Sequence, residues 1–415
     1  MTYESVAFVG LSVVALLAAL MVLPAVRSWC PPFLLLGAVA ARIAGAAARY
    51  ETLFRYYDGV GDATGYYRTG LLLAHDTWAG DLSLLEPGFW LHPDGSWWGT
   101  EFVRKVSGAV LLVIGPSLRA EFLAFSLFAF IGLFAMALAV RRVAGDRAAA
   151  LFSMWVWFWP SLVFWPSSVG KEALVTLAVG FAVLGYAGRG RRIHWSPFLA
   201  GLALCFCVRP HVAAILGLAA AAAYWLGSWR RMSVRRVAEG LLVSAVAAAA
   251  LVMMASSFST AGIDLEGLGE YVSVRTSRTL VGTSSLGSTP LTGGHVAQAP
   301  VNALLRPFLW EAHNLQAAIA AAEVSFLWLL VWRYRRALLY ALRHARQHRL
   351  LRVALPFLCA YLLMIGLTFG NLGLISRQRS IAYPFVFMVL LAGVVPERAR
   401  PPRETVPGMT LPVTS

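Results

Sequence analysis

A chain of 415 residues, 59% hydrophobic and only 13% charged, is too apolar to fold in water, since soluble domains hold about 45–50% apolar and about 25% charged residues. The excess requires lipid as solvent. A formal charge of +15 would point to nucleic acid in a soluble protein. Here the charge sits in short segments between apolar runs, so the positive-inside rule accounts for it and argues against a nucleic-acid partner.

The first apolar run, 6–26, follows MTYES with no basic segment before it, so it reads as a membrane helix and not as a signal peptide. Further runs lie at 31–48, 119–140, 148–165, 172–187, 197–208, 211–227, 238–256, 312–332, 353–370 and 380–396. A spanning helix needs about 20 mostly apolar residues. The runs 197–208 and 211–227 fall short of that and read as a broken or re-entrant pair. The expected fold is all-α, a polytopic membrane helix bundle of about 10–11 hydrophobic segments. It divides into an additional N-terminal membrane helix in 1–30, a transmembrane domain over 31–396 and a cytoplasmic tail at 397–415.

The intervening segments alternate in charge. RRVAGDR (141–147), RGRR (189–192), WRRMSVRR (229–236), the stretch from Arg333 to Arg352 and the tail are strongly basic and are assigned to the cytoplasmic side. Segments 49–118, 166–171, 257–311 and 371–379 hold most of the remaining Asp and Glu and are assigned outward. This parity requires 197–227 to enter and leave on one side, and it places the N-terminus outside. Segment 49–118 is too long for a connector. Its Trp78, Trp90, Trp97 and Trp98 lie among polar residues, which predicts helices lying on the interface. The cysteines, Cys30, Cys205, Cys207 and Cys359, lie in or beside apolar runs without metal-ligand spacing and are expected to be buried free thiols.

Three places carry candidate chemistry. In RYYDGVGDATGYYRTG, Asp58 and Asp62 stand four apart among tyrosines that include Tyr66. Two carboxylates just outside a membrane helix could activate a hydroxyl or hold a divalent cation such as Mg or Mn, or be solvated loop acids. In PSSVGKEAL, Ser167 or Ser168 could cap the following helix with Glu172 in its first turn. Lys171, one of only two lysines beside Lys105, opposes that helix dipole and calls for an anionic partner, such as Glu172, Asp62 or a phosphate. The third place is a set of arginines at membrane depth or on the outer side: Arg209, before Pro210 and His211; Arg306, before Pro307; and Arg377 and Arg379, in the segment that opens at Asn371. Arginine forks bind phosphate bidentately, so their convergence beside lipid fits a lipid-linked phosphate or pyrophosphate; the alternative is interhelical ion pairing.

At these residues the chain resembles the C-type glycosyltransferase superfamily (GT-C). The resemblance rests on GDATGYY (61–67), PSSVGKE (166–172), the Arg209–Pro210 step and the late set Asn371, Gly373, Arg377, Arg379 and Pro384. It covers about 31–396 in short motifs. The first acidic motif departs from the family's paired acids, and the helix at 6–26 is extra. The resemblance implies transfer of a sugar from a polyprenyl-phosphate donor to a glycan, lipid or protein acceptor on the non-cytoplasmic face. It implies Asp62 as base or metal-binding carboxylate, Asp58 as second acid, and Arg209, Arg377 and Arg379 as donor-phosphate residues, joined by Lys171. Glu172, Tyr66, His211, Asn371 and Arg306 would support them. Two other readings stay open. One is a polysaccharide polymerase or ligase using lipid-diphosphate glycans. The other is a flippase or transporter, which usually has two related halves, and no internal repeat is evident here.

Overall fold

The computed structural model describes residues 3–90, 98–188, 192–228, 233–259, 293–312 and 314–394. The expected cytoplasmic tail, Trp97 and residues 260–292 of the late outer segment lie outside the described residues. Every helix and turn of helix below follows an apolar run or a capping signal, and no β-strand occurs among the described residues.

Helices α1 (Tyr3–Val26) and α2 (Pro32–Tyr57) open the chain. Pro32 sits at the first helical position of α2, where its missing N–H is no loss. The helix continues past the expected end at residue 48, because ARYETLFRYY contains no breaker and Arg55 pairs with Glu51 one turn back. It stops where Asp58 and Gly59 both take positive φ, 48° and 71°.

The segment 49–118 is folded into helices: α3 (Asp62–Trp78), the short α4 (Pro87–Trp90) and α5 (Thr100–Ile114). Helices α3 and α5 touch at glycine, since a Cβ on Gly70 would stand 2.2 Å from the Ser107 hydroxyl. Helix α6 (Leu118–Ala144) starts where Glu4 of α1 accepts the Leu118 and Arg119 amides at 3.2 and 3.0 Å.

The run expected at 148–165 is broken. Helix α7 (Asp146–Phe158) ends at Trp159, and Pro160 opens the single turn α8 (Pro160–Phe164), because proline lacks the N–H that would continue the ladder. Then follow α9 (Lys171–Ala187), α10 (Trp195–Val208), α11 (Pro210–Ser228), α12 (Val234–Ser259), α13 (Gly293–Leu305), α14 (Leu315–Arg333), α15 (Arg335–Arg343), α16 (Arg349–Thr368), α17 (Leu372–Arg379) and α18 (Tyr383–Val394).

Seven of the described helices are long and apolar enough to cross a membrane: α1, α2, α6, α11, α12, α14 and α16. The chain is therefore a helical membrane protein. Residues 211–227 belong to a helix that meets the length requirement by itself, whereas α10, with 14 residues, is shorter. The two form a hairpin with its turn at Arg209.

Helices α6, α9 and α10 make the tight centre. A Cβ on Gly132 would come 2.2 Å from Thr176 O, one on Gly180 2.1 Å from Gly132 O, and one on Gly201 2.3 Å from Ala182 N. Small residues allow such backbone approach, which is how helices pack where no water drives them together. The cysteines depart from expectation in part. All four are free, but only Cys30 and Cys205 are buried; Cys207 is half-buried, and Cys359, in α16, is exposed.

Two ends of the bundle are chemically distinct. At one end Arg141 donates to the Ser28 hydroxyl at 3.0 Å and Arg349 to Tyr186 O at 2.6 Å, among the short basic segments. At the other, Glu4 meets Leu118, and the Tyr57 hydroxyl donates to the Gln316 side chain at 3.0 Å. Arg209, between α10 and α11, meets Glu172 at the start of α9.

Candidate functional site

The turn between α8 and α9 delivers Glu172 into the first turn of α9, where the helix dipole favours a carboxylate. Its side chain is only 2% exposed. Two arginines from distant parts of the chain close on it. Arg377 of α17 forks onto both oxygens, Nε to Oε1 at 2.8 Å and Nη2 to Oε2 at 2.9 Å. Arg209, at the α10–α11 turn, donates Nη2 to Oε1 at 2.5 Å. The other end of the Arg209 guanidinium donates to the Gln378 side-chain oxygen. A bidentate arginine–carboxylate pair is the strong form of this contact.

Arg377 also reaches outward. Its Nη1 donates to Asp62 Oδ2 at 3.2 Å, and the Asp62 carboxylate, at the first position of α3, is 63% exposed. Glu172 foremost, and then Asp62, push the Arg377 guanidinium above its ordinary range against the opposing effect of burial, so it is a fixed positive charge. One turn along α3, Tyr66 is buried, and burial first, then Asp62 and Glu172, raise its phenol above its usual value. It remains a protonated donor at neutral pH. Lys171 completes the rim, its ammonium donating to the Thr100 hydroxyl at 3.1 Å.

The structure thus brings together Asp62, Tyr66, Lys171, Glu172, Arg209 and Arg377, from four separate stretches of sequence. Other expected members lie apart from them. Asp58 is the exposed C-terminal residue of the α2 turn and makes no ion pair with a described residue. Arg379 is two residues from Arg377, so it leaves the helix on a different face. It is wholly buried and donates to the carbonyls of Leu304 (3.2 Å) and Arg306, closing the end of α13. Arg306 pairs with Glu311. Asn371 caps α17, its side-chain oxygen accepting the Gly373 amide at 2.7 Å. These three hold the fold around the site. His211 is half-buried in the first turn of α11, two residues from Arg209.

Asp62 faces the Arg377 guanidinium, and no group of three or more His, Cys, Asp or Glu side chains converges among the described residues.

Two features were passed over in the sequence. Arg49 of α2 lies with its guanidinium over the rings of Phe164 and Trp165, 4.9 and 5.0 Å from their centroids, within electrostatic reach of Arg377, Glu172 and Asp62. An arginine at the edge of an apolar run was the available signal. The second feature is an apolar groove of about 770 Å³ between α2, α8, α14 and α17. Ala41, Ala44 and Ala48 of α2 line it, with Ile319 and Ala320 of α14, Phe164 and Trp165, and Gly373 of α17. Glu323 of α14 also lines it, accepting the Ser161 amide at 2.9 Å. Ordinary helix periodicity does not reveal such a groove, because it lies between elements far apart in sequence. The chain matches no protein-family model, no curated protein and no solved structure.

Proposed function

We propose that the chain is a membrane glycosyltransferase that moves a sugar from a polyprenyl-phosphate donor to an acceptor hydroxyl on the non-cytoplasmic face. The observation that carries this reading is the meeting of Asp62, Glu172, Arg209 and Arg377 beside an apolar groove. Carboxylate, fixed cations and a slot for an isoprenoid chain are the three things such a reaction needs.

The donor's chain lies in the groove with its phosphate at the rim. The acceptor oxygen attacks the anomeric carbon while the bond from that carbon to the phosphate oxygen breaks. Asp62 takes the acceptor proton. Polyprenyl phosphate leaves with the bonding electrons, and the cationic rim stabilises the charge it gains. A single displacement inverts the anomeric centre. Glu172 does not react; it keeps Arg209 and Arg377 in place. The α10–α11 hairpin carries Arg209 to the rim, which is the role the re-entrant pair has in this reading, and α3 and α5 lie along the interface around the acceptor.

The test is transfer from a labelled polyprenyl-phosphate sugar by the purified protein. Asp62→Asn, inserted and monodisperse, is expected to lose about 10²–10⁴-fold in rate. Full activity in that variant removes Asp62 from the mechanism, and absence of transfer by the wild type across polyprenyl-phosphate sugars sinks the reading. The rim also has more cations than carboxylates, with Arg49, Lys171, Arg209 and Arg377 around Asp62 and Glu172, which favours a second reading with a diphosphate-linked glycan. Faster turnover of a diphosphate donor would assign the chain to the polymerases or ligases.

A further inference from the structure

Arg42 and Arg49 are seven residues apart on α2, two turns, and so lie on one face of the helix. Both point at the α8 segment, but they are held differently. Arg42 is wholly buried and donates Nη1 to Leu162 O at 2.6 Å. Arg49 rests against aromatic rings, and its buried Nε has no hydrogen-bond partner. No described carboxylate forms an ion pair with it, whereas Arg209 and Arg377 are both closed on Glu172.

Arg42 also leaves Nε and Nη2 without partners, but it is wholly buried between helices, whereas Arg49 is only half-buried and stands within electrostatic reach of the Asp62–Arg377 pair. Phe164 and Trp165, which carry the guanidinium, also line the groove. Arg49 does not itself line the groove, but it packs on two residues that do and lies within electrostatic reach of Asp62 and Arg377. The guanidinium packs against two neighbouring rings on one side, and its N–H edge matches two oxygens of one oxyanion.

We propose that Arg49 is the anion-receiving residue of this site and binds the phosphate of a lipid whose apolar chain occupies the groove. The inference rests on the lipid-phosphate half of the proposed function and not on sugar transfer. Arg209 and Arg377 then set the field around the phosphate, while Arg49 makes the direct contact.

The experiment measures binding of geranylgeranyl phosphate to the purified full-length protein in detergent, followed by quenching of tryptophan fluorescence and by thermal shift. Geranylgeraniol and inorganic phosphate are the comparison ligands. The wild type is expected to bind the phosphorylated lipid at least about tenfold more tightly than either, because only it fills the groove and meets the cation. Arg49→Gln is expected to bind geranylgeranyl phosphate about tenfold or more weakly and geranylgeraniol unchanged, with Arg49→Lys between, since lysine keeps the charge but not the fork. Affinity within about twofold of wild type in Arg49→Gln overturns the proposal. If that variant does not fold, Arg49→Lys decides alone: unchanged affinity overturns the proposal, and a clear loss supports it. Equal binding of inorganic phosphate by the wild type overturns the lipid assignment. Wild-type binding that depends on Arg49, found in a protein that transfers no sugar, leaves this inference standing and sinks the transferase.

Discussion

Glu172 is the residue on which the rim turns. Its carboxylate takes three donors from two arginines and meets almost no water. Removing one side of a buried pair leaves the other charges uncompensated, which costs about 3–5 kcal/mol. Glu172→Gln retains the shape but not the charge, so Arg209 and Arg377 repel each other with nothing between them. The expected outcome is a lower melting temperature in detergent, read by thiol-reactive dye or tryptophan emission, and loss of activity with it. Arg377→Lys separates the two effects. Lysine keeps a charge against Glu172 but cannot also reach Asp62 in the same geometry, so transfer should fall more than stability. A Glu172→Gln protein with wild-type melting would show that the ion-paired geometry is not what holds the rim.

At the scale of elements, the packing of α6, α9 and α10 depends on glycines that admit backbone against backbone. Gly180→Ala places a methyl 2.1 Å from the Gly132 carbonyl, so helices must part, at about 1–3 kcal/mol. Gly65 is also helical, in α3, but a Cβ there meets nothing within 4 Å. Gly65→Ala is therefore expected to raise stability by about 0.5–1 kcal/mol through helix propensity. Thermal unfolding of the two variants side by side checks both signs. The elements themselves were legible in the sequence, since apolar runs in lipid leave the backbone no alternative to helix. Their ends were less so. The break at Trp159–Pro160 and the extension of α2 to Tyr57 depend on one proline and on the absence of any breaker after residue 48. The site was legible where residue type was unusual for its place: Lys171, Glu172, Arg209 and Arg377 all meet. Arg379 shared the same signal but faces the end of α13, because two residues on a helix turn a side chain by about 200°. Arg49 and the groove depend on contacts between α2 and the α8 turn, which no local pattern encodes.

For the whole molecule, the arrangement of charge fixes how the bundle must sit if the proposed chemistry is right. Among the described residues, Arg141 and Arg349 of the arginine-rich segments lie at one end, where Arg349 meets Tyr186, and the Asp62–Arg377 pair lies at the other. On the proposed function the positive-inside rule is expected to turn the rim outward, with the start of α1, tied by Glu4 to Leu118, on the same side. A membrane-impermeant maleimide tests this in intact cells, in a background with Cys359→Ala to remove the exposed native thiol. Arg55→Cys, at the exposed end of α2 beside the rim, is expected to label from outside. Arg343→Cys, exposed at the end of α15, is expected to label only after the membrane is opened. The reverse pattern would put the rim in the cytoplasm, against the outward-facing site that the proposed function requires. The ion pairs and the groove would be unchanged by that result, but the substrate assigned to them would have to be abandoned.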